Sequence, residues 1–188
     1  PFTSRDKAFY ADANTISFVR PGLAFKVTSV SIAADGTVTA RFQVADPLGV
    51  PLDRAGIVTP GAVSASFVLS RIPKGGRFYQ AYTKRTKTST YPATVGRTAR
   101  QASNDSGGRY VKIADGEYDY IFGTKVPGYD GSATHSVGIY GSRNLNEFDL
   151  GINYASTVYT WVPNGQPIVE VRDVINDQSC NRCHDEIN

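Results

Sequence analysis

The chain has 188 residues, of which 40% are hydrophobic and 20% charged, with a formal net charge of +3. This length suits one domain with a short appendage, and it allows a hydrophobic core without disulfide staples. No apolar run reaches the roughly 18 residues of a membrane-spanning helix, and no DNA- or RNA-binding motif is present, so we expect no nucleic-acid partner.

Residues 1–21 show no clear period, which predicts an arm or an edge strand. The remainder favours strands, because Val, Thr and Tyr are abundant and Gly-Asp turn signals recur. No helical period of useful length appears before Asp177. The chain opens at Pro1 without a signal peptide or initiator Met, so we expect a processed mature form or an excised piece.

Two β-hairpins are predicted, each built around an Asp-Gly turn. Their parts are residues 24–32, Asp35-Gly36 and 37–44 in the first hairpin, and residues 110–113, Asp115-Gly116 and 118–122 in the second. In the first hairpin, Val38, Ala40, Phe42 and Val44 alternate with polar residues, which predicts that one face of this strand is buried.

Further strands are predicted at residues 63–69, 78–82, 134–140 and 157–162. Residues 169–175 form either a last strand or an extended exit. About eight short strands separated by turn signals predict an all-β fold, either a Greek-key sandwich or a split, partly open β-barrel. We assign residues 1–176 to this domain and residues 177–188 to a separate C-terminal segment.

Residues 84–109 form a polar stretch with a strong excess of basic side chains. The stretch contains a single acid, Asp105, against Lys84, Arg85, Lys87, Arg97, Arg100 and Arg109. We predict a long exposed excursion with a short hairpin around Tyr91. Such a segment is either a solvated loop or a surface that attracts anionic head groups or acidic partners.

Cys180, Cys183 and His184 form a C-x-x-C-H motif, which is typical of covalent haem c attachment. The two thiols add to the two vinyl groups of the haem, and the adjacent His184 reaches the iron as proximal ligand. A redox dithiol or a metal site is the alternative. A zinc site would need a second ligand pair, and a thioredoxin-like dithiol would need a βαβ context, and this sequence offers neither.

The sequence contains no Met, so His/Met coordination of the iron within this chain is excluded. His135 is the one other histidine, and it lies on the same predicted strand face as Val137 and Ile139. It is either a partly buried strand residue or the distal iron ligand. Because four residues follow His184, we expect sequence beyond this chain to cover the haem.

The C-terminal third resembles the N-terminal β-domain and first haem motif of the OmcA/MtrC family of outer-membrane multihaem cytochromes. The resemblance rests on residues 134–140, 159–165 and 171–175 and on the C-x-x-C-H motif at 180–184. It implies a split-barrel domain that precedes a multihaem domain with bis-His haems. The departure is large, because this chain has one haem motif where the family has about ten, and a cysteine pair proposed to control flavin binding in relatives has no counterpart.

The resemblance further implies an exported protein, at the bacterial outer-membrane surface, extracellular or periplasmic. Its partners would be other haems or cytochromes, and the outer-membrane surface itself. We find no nucleophile–base pair or paired carboxylates, and we interpret the cluster Asp115, Glu117 and Asp119 as solvated hairpin acids. We therefore expect an electron carrier and not an enzyme.

The alternative function is a β-sandwich binding or assembly module, for carbohydrate or surface docking, with an accessory haem or dithiol. Five tyrosines on predicted strands could form an aromatic sugar-binding surface or could pack across strands. They are Tyr79, Tyr82, Tyr118, Tyr120 and Tyr140.

Overall fold

The computed structural model describes residues 2–172, which form ten strands and one short α-helix, α1 (Ala13–Val19). Single turns of 3₁₀-helix lie at Lys7–Phe9, Pro92–Thr94 and Asn146–Phe148. The strands are β1 (Ala24–Ile32), β2 (Val38–Ala45), β3 (Val63–Ile72), β4 (Gln80–Ala81), β5 (Lys84–Thr88), β6 (Thr98–Ala102), β7 (Arg109–Ala114), β8 (Glu117–Ile121), β9 (Thr134–Asn144) and β10 (Ile152–Trp161).

Two four-stranded antiparallel sheets enclose the core. The first has the order β1-β2-β8-β7 and the second the order β10-β9-β3-β4, while β5 and β6 form a separate two-stranded ribbon. The edge strands β1 and β10 approach each other, and the Gly22 N–H donates to Asn153 Oδ1 at 3.0 Å. Within residues 2–172 these edges do not pair, so the barrel stays open. The predicted all-β sandwich is confirmed.

Aromatic rings fill the space between the sheets. The predicted inward face of β2 is confirmed, because Val38, Ala40, Phe42 and Val44 are all buried. Phe42 meets Phe67 of β3 edge to face, with ring centroids 5.2 Å apart, and Phe67 stacks on Tyr120 of β8 at 3.8 Å. These contacts join the two sheets, since β2 and β8 belong to the first and β3 to the second.

Asp105 is the buried acid that ties the loop before β7 to the end of β8. Its carboxylate accepts the Tyr120 hydroxyl at 2.9 Å and the backbone N–H groups of Gly123 and Thr124 at 2.8 and 2.9 Å. Burial raises the pKa of Tyr120, and the bond to Asp105 raises it further. The acid is therefore a structural anchor for the chain between the two sheets.

The prediction of an arm or an edge strand for residues 1–21 is wrong, because this segment contains the short helix α1. Asp12 caps it, accepting the N–H groups of Asn14 and Thr15 at 2.9 and 3.0 Å. Helix α1 has seven residues, too few for a periodic signal and too few to be stable alone. Contacts distant in the sequence stabilise it instead.

Arg143 of β9 supplies those contacts. Its guanidinium is fully buried and donates to the carbonyls of Val19 and Arg20 at 2.7 Å, where α1 ends, and to Gly22 at 3.1 Å. It also donates twice to the Pro60 carbonyl, at 2.6 and 2.9 Å. Burial lowers the pKa of Arg143 to about 10, which leaves it charged at neutral pH. Orphan carbonyls at a helix C-terminus are suitable acceptors for such a cation.

Several strand boundaries differ from the prediction. The strand expected at residues 78–82 shrinks to β4, whereas β9 and β10 are longer than expected because both pair along their whole length. Residues 169–172 form no strand, which favours the extended exit for the described part of 169–175. The excursion at 84–109 contains the predicted hairpin, as β5 and β6.

The outer face of the second sheet carries no charged side chain along β3, β9 and β10. Away from the strand ends, the strand register places twelve residues on this face. They are Ser64, Ser66, Val68, Ser70, Ser136, Gly138, Tyr140, Ser142, Tyr154, Ser156, Val158 and Thr160.

Candidate functional site

The attachment residues Cys180, Cys183 and His184, together with the whole segment 177–188, lie outside the described residues. The structure does describe the approach to them, residues 162–172 after β10. A turn follows β10, in which the Gly165 N–H donates to the Val162 carbonyl at 2.9 Å and the Asn164 N–H to the Gly131 carbonyl at 3.0 Å. This turn directs the chain back across the end of the second sheet.

Residues 162–172 are here called the exit segment. Glu170 holds this segment against the connection between β3 and β4. Its carboxylate accepts the Gly75 N–H at 2.7 Å and the Thr134 hydroxyl at 3.4 Å. The Gly75 N–H lowers the pKa of Glu170 below its usual range. Two residues later, the Arg172 guanidinium lies 4.6 Å from the centroid of the Phe78 ring. The chain is thus attached to the domain up to the last described residue.

Exposed apolar side chains surround this exit. Phe78, Val169 and Val171 are 67%, 77% and 76% exposed, and Ile168 is 43% exposed. We call these four residues the exit patch. Val169 and Val171 flank the anchored Glu170, so the β-domain presents apolar surface at the point where the chain leaves it. Large exposed apolar groups that occur together mark surfaces that contact another group or domain.

Covalent geometry limits how far the attachment motif can lie from the exit patch. Cys180 is eight residues beyond Arg172, and a fully extended chain spans at most about 3.5 Å per residue, or about 28 Å in total. The Cα atom of Cys180 therefore remains within this distance of the Arg172 Cα atom, whatever path the chain takes.

His135 is completely buried and uses both ring nitrogens within the domain. Nδ1 lies 2.9 Å from the Ala133 carbonyl, which can only accept, so Nδ1 carries the proton. Nε2 then accepts from the Tyr82 hydroxyl at 3.0 Å. Trp161, with its ring centroid 5.5 Å away, covers the imidazole, and burial lowers the pKa of His135.

This environment bears on the distal-ligand alternative for His135. The burial is complete, where the sequence predicted partial burial, and the inward face shared with Val137 and Ile139 is as expected. Iron coordination would need Nε2 and would therefore break the bond to Tyr82 and displace the rings around the imidazole. The geometry favours the structural interpretation.

Other sequence-based candidates are dispersed. Tyr118 and Tyr120 are buried between the sheets and Tyr82 binds His135, so the interpretation of the five tyrosines as one sugar-binding surface is wrong. Alternation places their side chains on different faces. Tyr154, which the sequence analysis missed, is instead the neighbour of Tyr140 on the outer face of the second sheet.

Two acids of the second hairpin, Asp115 and Asp119, pair with cations, where the sequence predicted solvated acids. Asp119 makes two bonds to Arg41, at 2.8 and 3.0 Å, and the exposed Asp115 lies 2.9 Å from Lys112. Among residues 2–172, no group of three or more His, Cys, Asp or Glu side chains could hold a metal ion. In that same range, no helix is long and apolar enough to cross a membrane.

Comparisons with known proteins identify the fold. No family model and no curated protein matches the chain. Among solved structures, the outer membrane decahaem cytochrome OmcA superposes with a TM-score of 0.62 at 23% identity, and MtrC from Shewanella baltica OS185 with a TM-score of 0.55 at 15% identity. Each match covers 87% of this chain and 26% of the other. The chain spans about a quarter of these proteins and shares the fold of that part of each.

Proposed function

We propose that this chain is the β-domain and first haem-attachment segment of an exported c-type cytochrome that transfers electrons at the bacterial cell surface. The observation that carries the proposal is the C-x-x-C-H motif, Cys180 to His184, beginning eight residues beyond an anchored apolar exit. The fold shared with a decahaem outer-membrane cytochrome supports it.

Haem c suits the donor set of the motif. Cys180 and Cys183 would hold the porphyrin through thioether bonds, and His184 would bind the iron from one side. The bound haem would supply reversible one-electron chemistry. The exit patch would shield the haem, or the domain that carries it, from water. Exclusion of water changes the reduction potential of a haem.

The sixth ligand, in this proposal, comes from outside the chain. There is no Met, and His135 has both ring nitrogens occupied. A further haem domain or a partner cytochrome would supply the second histidine, and its haems would accept the electron. The protein is then a carrier and not an enzyme.

Mass spectrometry after maturation in a periplasm tests the proposal. We expect one haem that survives denaturation in the wild-type chain, and none in the matched variant Cys180→Ala/Cys183→Ala. The wild-type chain recovered without haem, under conditions where a control c-type cytochrome is fully loaded, would refute it.

A spectrum of the loaded protein tests the ligand assignment separately. His135→Gln keeps a polar side chain of similar size in the core, and we expect it to leave the spin state of the iron unchanged. Conversion from low spin to high spin would instead make His135 the distal ligand.

A docking module is the second candidate, favoured by the uncharged outer face of the second sheet. Tyr140 and Tyr154 are diagonal neighbours there, and serines Ser64, Ser66 and Ser142 surround them. Aromatic rings with hydroxyl groups suit an uncharged glycan. Loss of glycan binding in Tyr154→Ala, with haem attachment unchanged, would support this role.

A further inference from the structure

The ribbon formed by β5 and β6, here called the basic ribbon (residues 84–102), projects from the sandwich. Every residue of both strands is exposed on both faces. Its base is fixed to β3 through Thr83, whose buried hydroxyl accepts the Leu69 N–H at 3.1 Å. The two strands pair along the whole ribbon, from Lys84↔Ala102 to Thr88↔Thr98. The basic ribbon is therefore an ordered protrusion that is fixed at its base and whose strand side chains lie outside the core.

The positive charge of the chain is concentrated on this arm. Residues 84–104 contain five cations and no acid, and since the whole chain carries +3, the rest has a net charge of −2. The register places Arg85 and Lys87 on one face, and Arg97 follows on that face as the partner of Ser89. No described carboxylate forms a salt bridge with these three cations.

The tip of the basic ribbon is apolar. Tyr91 and Val95 are 69% and 68% exposed and flank the short 3₁₀ turn Pro92–Thr94. A soluble polyanion offers no apolar surface for such a tip to contact. An anionic bilayer suits both parts, because tyrosine prefers the membrane–water interface and cations near the surface are attracted to anionic head groups.

We infer that the basic ribbon is a peripheral membrane-docking element that binds anionic phospholipid head groups. Arg85, Lys87 and Arg97 face the phosphates, and Tyr91 and Val95 enter the interface between head groups and acyl chains. Such docking would hold the β-domain at a membrane surface in a fixed orientation. It does not depend on the haem motif.

Vesicle co-sedimentation with the 188-residue chain tests this inference. We expect binding to mixed phosphatidylcholine–phosphatidylglycerol vesicles and little binding to phosphatidylcholine alone. Each cation near an anionic surface contributes roughly a factor of five in affinity. The triple variant Arg85→Gln/Lys87→Gln/Arg97→Gln should therefore bind on the order of a hundredfold more weakly.

A charge-matched control removes three exposed cations elsewhere, as Lys26→Gln/Lys74→Gln/Arg77→Gln. An equal loss in both triple variants would mean that net charge alone drives binding, and would overturn the inference. Tyr91→Ser/Val95→Ser should weaken vesicle binding while leaving binding to soluble polyphosphate unchanged. Unaltered vesicle binding in this tip variant would overturn the bilayer assignment in favour of a soluble polyanion.

The haem motif can be removed from the same assay. Cys180→Ala/Cys183→Ala should bind vesicles as the wild type does, so failure of the proposed electron-transfer function leaves this test intact. Because the substituted ribbon side chains are exposed, all ribbon variants should keep the wild-type melting temperature.

Discussion

Arg143 is a buried cation whose five hydrogen bonds all end on backbone carbonyls. A lysine at this position keeps the charge but cannot reach carbonyls on both sides with a planar fork. We therefore expect Arg143→Lys to lower the free energy of unfolding by about 3 kcal/mol, measured by urea denaturation. Arg100→Lys, on the exposed β6, is the matched control and should change it by less than about 0.5 kcal/mol.

His135 makes the stability of the domain depend on pH near neutrality. Burial lowers the pKa of His135 in the folded state, Arg71 lowers it further, and Asp130 and the Ala133 carbonyl oppose this. Below the unfolded-state pKa of about 6.5 the unfolded chain binds the proton more readily, so stability is complete above that pH and falls as pH decreases towards the folded-state pKa.

Urea denaturation between pH 7 and pH 5 measures this effect. We expect the wild type to lose stability over this range and His135→Gln to lose less. Described carboxylates with lowered pKa values, such as Asp35 and Glu170, titrate below this window and affect both proteins equally. Identical pH profiles for the two proteins would contradict the assignment of the effect to His135.

The second Asp-Gly hairpin, between β7 and β8, depends on close packing as well as on turn geometry. Gly116 has a φ of 67°, and a Cβ there would lie 2.7 Å from Pro51 Cβ. Gly116→Ala should therefore lower the free energy of unfolding by more than about 1 kcal/mol. Gly128 has a similar φ of 65°, and no atom lies within 4 Å of a Cβ built there. Gly128→Ala therefore tests backbone strain alone and should lower the free energy of unfolding by less than Gly116→Ala does.

The strands that could be predicted are those whose local sequence, in its apolar alternation and turn residues, matches the burial and the turns found in the fold. Strands β1, β2, β7 and β8 combine alternation or β-rich runs with an Asp-Gly turn, and they form as expected. Helix α1 could not be predicted, since Arg143 stabilises it from more than 120 residues away. Strands β5 and β6 bury nothing and leave no hydrophobic period, so the sequence predicts their hairpin around Tyr91 without the bounds of its strands.

The candidate site was predictable in its covalent chemistry and not in its surroundings. Two thiols and a histidine at fixed spacing indicate haem attachment from local sequence alone. Burial of His135 under Tyr82 and Trp161 depends on the pairing of distant strands. The exit patch became recognisable only with Glu170 bound to Gly75, because isolated valines near a chain end carry no signal.

At the scale of the whole molecule, the β-domain should fold without haem. The residues that the structure describes, 2–172, already form a hydrophobic core cluster between the two sheets. We expect Cys180→Ala/Cys183→Ala to keep a β-rich far-UV circular dichroism spectrum and a cooperative thermal transition. Loss of the cooperative transition would show instead that haem organises the fold.

The contacts of Arg143 also set an order of assembly during synthesis. The carbonyls of Val19, Arg20 and Gly22 leave the ribosome, or a translocation channel, more than 120 residues ahead of the guanidinium that binds them. Such high contact order makes folding slow and dependent on late-arriving strands. Residues 19–22 cannot bind Arg143 until residue 143 has emerged. The segment that forms α1 therefore stays without its stabilising contacts until most of the domain has passed through the ribosome or the channel.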